Sequence, residues 1–237
     1  MIKFNDYISF YKLAKNRAKS NIDYFKFENF QSNIVIKSLK NAGISFKGMK
    51  VLDLGSGTGG YSLNLLNQGA CVVALDITQQ YFQNVKGIRF VVADAAKMPF
   101  ASNSFDFVFC SSLIEHVRNP DLLIKEIKRI LKKGGRCYLS FPPFWSPVGS
   151  HQFKPFHYMG EKIAVKLSRK VYHVKSHRYN DQFGKLYIRT IRQVKKLILS
   201  NNMKIKYMST RMSPINFAKM PILNELLTWH VEFLIEK

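Results

Sequence analysis

The ten residues 51–60, VLDLGSGTGG, decide the fold of this chain. Val51, Leu52 and Leu54 form an apolar strand interrupted by one carboxylate, Asp53, and the strand runs directly into Gly55, Gly57, Gly59 and Gly60. Four glycines in six positions call for a backbone that takes positive φ angles and lets another group approach closely. A strand ending in such a turn before a helix is how α/β sheets hold a nucleotide-like ligand. The alternative is a tight strand-to-helix turn with no ligand, and glycine density beside an acid argues against it.

Gly55, Gly57 and Gly60 satisfy the spacing G-x-G-x-x-G, so a dinucleotide site is compatible with the glycines alone. Three acids separate the possibilities. Asp53 sits inside the strand, where a pyrophosphate gains nothing from a carboxylate, while a ligand with an ammonium and a sulfonium does. A second strand, CVVALD, ends at Asp76, placed to accept hydrogen bonds from ribose hydroxyls. A third, FVVAD, ends at Asp94, with Ala95 behind it, where an adenine amino group can be held.

These motifs resemble the class I S-adenosylmethionine-dependent methyltransferases of small-molecule type, related to the quinone-biosynthesis methyltransferases. VLDLGSGTGG matches the family's first motif; ALDIT, ADAAKMPFASNSFDFVFCSSLIEHV and RILKKGGRCYLSFPP match its successors, over about residues 46–143. The resemblance implies S-adenosylmethionine as cofactor. Asp53 and the loop Gly55, Ser56, Gly57 and Gly59 would lie along its methionine part. Asp76 with Ile77 would bind the ribose, and Asp94 with Ala95 would contact the adenine. Cys110, Ser111 and Leu113 would line the other side. It also implies a Rossmann-like α/β fold: a seven-stranded, mostly parallel sheet with helices on both faces and an antiparallel last strand.

With 237 residues, one α/β domain with a modest insertion is the expectation. Residues 1–45 are read as a helical cover, 46–143 as the cofactor-binding core, 144–187 as a substrate-recognition insertion, and 188–237 as a last helix with closing strands. Strands are expected at 50–54, 71–76, 88–93, 105–111, 136–141 and 203–208, with right-handed crossovers between parallel strands. Helices are expected at 7–19, 23–42 (capped by Asn21 or Asp23), 61–67, 121–131, 161–170 and 188–200. Gly134 and Gly135 read as the stop after the fourth of these. LTWHVEFLI, 227–235, is apolar and β-branched enough for the closing strand; an amphipathic helix from Pro221 onward competes with it.

No apolar stretch reaches membrane-spanning length, and the start lacks a signal peptide's apolar run, so a cytoplasmic location is expected. Cys71, Cys110 and Cys137 each fall in an expected strand, where they read as small buried hydrophobes rather than a disulfide or zinc framework. The formal charge of +22 points to an anionic partner: nucleic acid, an acidic membrane surface or a negatively charged substrate. Between residues 160 and 211 stand fourteen Lys and Arg against Glu161 and Asp181. Solvated, lysine-rich helix faces are the plainer explanation.

Methyl transfer from a sulfonium is an in-line displacement, which demands a dry pocket, and for some nucleophiles a base. Glu115 and His116, just past the fourth strand, are candidates; a capping acid and a half-buried structural histidine are the alternative. The segment 141–160, FPPFWSPVGSHQFKPFHYMG, begins where the fifth strand ends and offers His151 and His157 as further bases among aromatic rings. These rings either shield a substrate or simply pack over the sheet. The spacing of His151 and His157 gives no support for a metal site.

The acceptor is therefore expected to be a small or lipid-linked molecule of anionic character. An RNA acceptor tracked by the basic stretch is the first competitor. Against it, SSLI stands where an Asn/Asp-Pro-Pro-aromatic signature of base methylation belongs. A non-catalytic, cofactor-sensing copy and a protein that docks on anionic lipid near Ile222–Leu227 are the others.

Overall fold

Seven strands, the earliest of them short apolar runs, form one sheet. They are β1 (Lys50–Leu54), β2 (Cys71–Asp76), β3 (Arg89–Val92), β4 (Phe105–Ser111), β5 (Leu131–Phe141), β6 (Lys204–Thr210) and β7 (Val231–Glu236), in the order β3-β2-β1-β4-β5-β7-β6. The computed structural model describes residues 4–83, 85–181, 185–213, 215–220 and 223–237. β1 pairs in parallel with β2 and with β4, and β2 with β3, while β6 and β7 are antiparallel. This is the Rossmann-like fold expected from the motifs. The strand order switches direction between β1 and β4, and ligands of open α/β sheets bind at such a point.

The helices are α1 (Phe4–Asn16), α2 (Asn21–Asn41), α3 (Gly60–Asn67), α4 (Pro120–Ile130), α5 (Glu161–Tyr172), α6 (Ile191–Ser200) and the short α7 (Asn224–Leu227). Two compact units emerge. The first runs to Cys110 and takes in Glu126–Cys137 and Lys237; the second comprises Ser111–Lys125 and Tyr138–Glu236.

In the first unit, α2 is capped by Ser20, whose hydroxyl accepts from the Asp23 amide at 3.1 Å, so neither Asn21 nor Asp23 is the cap. Its buried residues Phe27, Val35, Ile36 and Leu39 face inward, each such side chain contributing about 1.5–3 kcal/mol of apolar burial. The helix lies against the start of α3 because Gly60 has no side chain: a Cβ there would stand 2.7 Å from the Asn29 nitrogen and 2.9 Å from the Phe25 oxygen. Asn64 secures the contact by donating to the Asn29 carbonyl at 2.8 Å.

The second unit has its own aromatic core. Phe144 and Phe153 are fully buried with Ala164 and Val165 of α5, Tyr179 and Leu186. α6 starts at a capping box, Thr190 with Gln193.

Other local expectations change too: the helix expected at 188–200 starts only at Ile191, behind the Thr190 cap. The helix expected at 121–131 ends at Ile130 and β5 begins at once, so Gly134 and Gly135 lie inside the strand rather than beyond the helix. Ile130 and Leu131 are both fully buried, which leaves no room for a solvated loop between them. A Cβ on Gly135 would meet the Lys132 oxygen at 2.9 Å and the Asp106 oxygen at 3.2 Å. The strand expected at 227–235 is shorter, because residues 224–227 make the turn of α7 instead; Pro221 and Ile222, on which the helix alternative rested, lie outside the described residues. Cys71 opens β2 exposed, while Cys110 and Cys137 are buried. No described helix is long and apolar enough to cross a membrane.

Candidate active site

Hydrogen bonds tie the glycine turn of the first unit to the end of β2. The amides of Gly55 and Ser56 both donate to the Leu75 carbonyl, at 2.8 and 3.1 Å, and that of Gly57 donates to Asp76 Oδ2 at 3.0 Å. Asp76 Oδ1 accepts from the Ile77 amide at 2.7 Å. Gly59 has φ +93°, which only glycine adopts freely, and opens α3. The Asp76 carbonyl accepts from the Ala93 amide at 3.0 Å, which sets Asp94 beside Asp76. Asp94 turns on itself, with Oδ1 accepting from the Ala96 amide at 2.8 Å; Ala95 is buried and Ile77 exposed.

Asp53 is 2% exposed and accepts a 2.5 Å hydrogen bond from Ser62. Burial raises its carboxyl to about 7, with the nearby Asp76 adding to the shift and the Ser62 bond opposing it. A second carboxylate joins it. Glu28 of α2 reaches into the glycine turn, accepting from the Thr58 hydroxyl and, at 3.4 Å, from the Gly60 amide. It too is raised to about 7, chiefly by burial and in part by Asp53. A Cβ on Gly57 would stand 2.8 Å from Glu28 Oε1. Sequence reading missed Glu28, because its burial depends on where α2 docks. The buried Ser56 hydroxyl has no hydrogen-bond partner.

A buried and a half-buried acid, an orphaned hydroxyl and a side-chain-free turn suit a cationic amino-acid nucleoside. Glu28, Asp53 and the Gly55–Gly59 turn could hold its methionine end, Asp76 its ribose, and Asp94 with Ala95 its adenine, as the motif resemblance implies.

Cys110 closes the first unit, while Ser111 and Leu113 belong to the second. Ser111 is held in a buried network centred on Arg211. The Arg211 guanidinium donates to Glu232 Oε1 at 3.1 Å, Tyr138 Oη at 2.8 Å, Ser140 Oγ at 2.7 Å and Ser111 Oγ at 3.1 Å. Leu113 contributes its carbonyl to the His116 amide at 2.8 Å, closing the turn that carries Glu115 and His116.

Of the four candidate bases, three come together. Glu115 is fully buried, its Oε1 3.9 Å from His151 Nε2, and the rings of His116 and His151 meet edge-on at 5.1 Å. Burial raises the Glu115 carboxyl, against the pull of His116, Arg211 and Arg189. Arg189 itself spends its guanidinium on the carbonyls of Val117 at 2.7 Å and Ile114 at 3.3 Å. His230 lies nearby, its proton affinity lowered well below the ordinary value by burial and by Arg211 and His151.

His157 stands apart. It is fully buried, its ring 3.8 Å from that of Tyr158 and stacked on Trp145 at 6.3 Å, and burial lowers its proton affinity. With Phe144 and Phe153 it belongs to packing, and His151 is the histidine of the 141–160 segment that reaches Glu115. Arg189, Arg211, His230 and Glu232 escaped the sequence reading, since they lie 70 to 120 residues from Glu115.

Residues 52–139 match a family described as methyltransferase domain. Over 134 residues the chain is 33% identical to the biotin biosynthesis bifunctional protein BioHC of Cellvibrio japonicus, covering 54% of this chain and 27% of that protein. It is 39% identical over 106 residues to the demethylmenaquinone methyltransferase of Clavibacter sepedonicus, covering 40% of this chain and 43% of the relative. The chain thus spans well under two thirds of these relatives. An S-adenosylmethionine-dependent methyltransferase from Mesorhizobium loti superposes with a TM-score of 0.61 at 18% identity, covering 85% of this chain and 96% of that one.

Proposed function

We propose that this chain, whose residues 52–139 match a methyltransferase domain, is a class I S-adenosylmethionine-dependent methyltransferase acting on a small or lipid-linked acceptor. The observation that carries the reading is the pair of acids at the glycine turn, buried Asp53 and half-buried Glu28, both raised toward neutrality. A dinucleotide would bring a pyrophosphate against two carboxylates, at a cost in a desolvated site; a methionine ammonium is attracted by them. S-adenosylmethionine supplies an electrophilic methyl group on its sulfonium. Asp76 and Asp94 orient the nucleoside, and the Gly55–Gly59 turn lets the backbone approach it.

On the acceptor side, Glu115, His116 and His151 are the polar groups we assign to the nucleophile. Exposed Ile215, Leu223, Leu226 and Trp229 in the second unit favour an acceptor with an apolar tail or a lipid surface near it. The Clavibacter relative is named for demethylmenaquinone, which is consistent with that class.

Calorimetry and a labelled-methyl assay test the reading. The protein is expected to bind S-adenosylmethionine and to pass its methyl group to a quinol or hydroxylated aromatic acceptor. Binding of NAD with no binding of S-adenosylmethionine would sink it.

The raised carboxyls give this binding a pH signature. Asp53 and Glu28 are largely protonated below about pH 7 in the free protein and must ionise to meet a cation. Affinity is therefore expected to climb from pH 6 to pH 8, by up to about tenfold per unit for each group. Protons are released on binding at pH 6. Stability of the free protein runs the other way. The unfolded carboxyls ionise near pH 4, so this contribution is full below that value and is lost as pH rises through about 7. Calorimetry in buffers of different ionisation enthalpy counts the protons; Asp53→Asn should remove part of the slope, and a pH-independent affinity contradicts the assignment.

A further inference from the structure

We propose that Glu115, His116 and His151 form a binding site for one divalent transition-metal ion. The three side chains come from the turn after β4 and from the segment after β5, and each offers one ligand atom, all within 4.8 Å of one another. Two imidazoles and one carboxylate are the donor set that iron(II), zinc and their neighbours favour, with further positions left open for exchangeable oxygens.

Two further features point to a cation here. Glu115 is 1% exposed, and neither of its carboxylate oxygens has a hydrogen-bond partner. A desolvated carboxylate without donors is costly, and a metal ion is a partner strong enough to offset that cost. The nearby arginines do not serve: Arg211 is matched by Glu232 at 3.1 Å, and Arg189 is spent on backbone carbonyls. His116 is also pre-set as a ligand. Its Nδ1 lies 3.1 Å from the Lys185 carbonyl, which can only accept, so Nδ1 carries the proton and Nε2 the lone pair. A ligating histidine is oriented in this way by its outer partner.

Donors around one ion at ~2.1 Å stand about 3–3.4 Å apart, so the 3.9 Å between Glu115 Oε1 and His151 Nε2 must close by under an ångström. His151 sits at φ +53°, a conformation sparsely used by non-glycine residues, and this backbone holds the ring at the cluster. If the methyl-transfer reading also holds, the open positions suit an acceptor with adjacent oxygens, such as a catechol or hydroxy acid. The metal site itself does not depend on that reading.

The test uses the full chain stripped with a chelator and titrated with Co2+, then Zn2+. One equivalent of Co2+ is expected to give visible bands distinct from the hydrated ion, and Zn2+ to displace it and raise Tm. Glu115→Gln and His151→Ala should each weaken Zn2+ binding at least tenfold, while exposed His177→Ala leaves it unchanged. A wild-type Co2+ spectrum identical to the hydrated ion overturns the proposal, even if the variants fold poorly. So does stoichiometric binding that survives both Glu115→Gln and His151→Ala. Both readouts are independent of S-adenosylmethionine, so failure of the methyltransferase reading would leave them standing.

Discussion

Replacing Asp76 with alanine is expected to lower the affinity for S-adenosylmethionine about 100- to 10,000-fold, equivalent to two charge-assisted hydrogen bonds to the ribose at about 1.5–3 kcal/mol each. Asp76 has a second duty that adds to the loss. Its Oδ2 accepts from the Gly57 amide and its Oδ1 from the Ile77 amide, so the carboxylate also shapes the turn along which the methionine part would lie. Asp76→Asn keeps one acceptor oxygen and should cost about tenfold. Only about 1 kcal/mol of unfolding free energy should go with either change, because the carboxylate is not fully buried. Calorimetry reads the affinity and urea titration the stability. An affinity unchanged in Asp76→Ala would remove this residue from the ribose.

Arg211→Met is expected to be the most destabilising single change, costing about 3–5 kcal/mol, because it strands a buried charge. Arg211 and Glu232 are 6% and 5% exposed, on the closing hairpin of β6 and β7. Once the guanidinium is gone, the donors left to Glu232 among the described residues are neutral, Tyr138 at 2.5 Å and Ser209 at 3.2 Å. The hydroxyls of Ser111 and Ser140 lose a donor at the same time. The double variant Arg211→Met, Glu232→Met should recover more than half of the loss, since it removes the stranded charge and replaces it with apolar volume. Urea unfolding of the single and double variants measures this. A single-variant loss below about 1 kcal/mol would show that water reaches Glu232.

The strands were legible because their signal is local. β1, β2 and β4 are short apolar runs that end in Gly, Asp or Ser, and their bounds coincide with those read from the pattern. The carboxylates at their ends were legible too, because parallel pairing brings the carboxyl ends of successive strands together: Asp53 stands against Ala74, and Asp76 against Val92. Less could be read where burial and not periodicity sets the element. Ile130 and Leu131 continue from helix to strand with no loop, and the glycines that looked like a stop are part of β5.

The acceptor side resisted sequence reading for a different reason. His151 and His157 look equivalent in the chain, six residues apart among aromatic rings. The turn at 151–153 carries one toward Glu115, while the other is walled in by Trp145 and Tyr158. Which of two similar histidines is functional is a question of direction, and direction is set by packing.

The sequence by itself determined the α/β fold, the glycine turn and the three strand-end acids, because each rests on contacts between near neighbours or on the register of parallel strands. The tertiary structure alone decided that Glu28 joins Asp53, that Glu115 meets His116 and His151, and that Arg211 is matched by Glu232. Those groupings depend on how helices and loops far apart in the chain dock. Docking is fixed by many small apolar contacts that no short motif records.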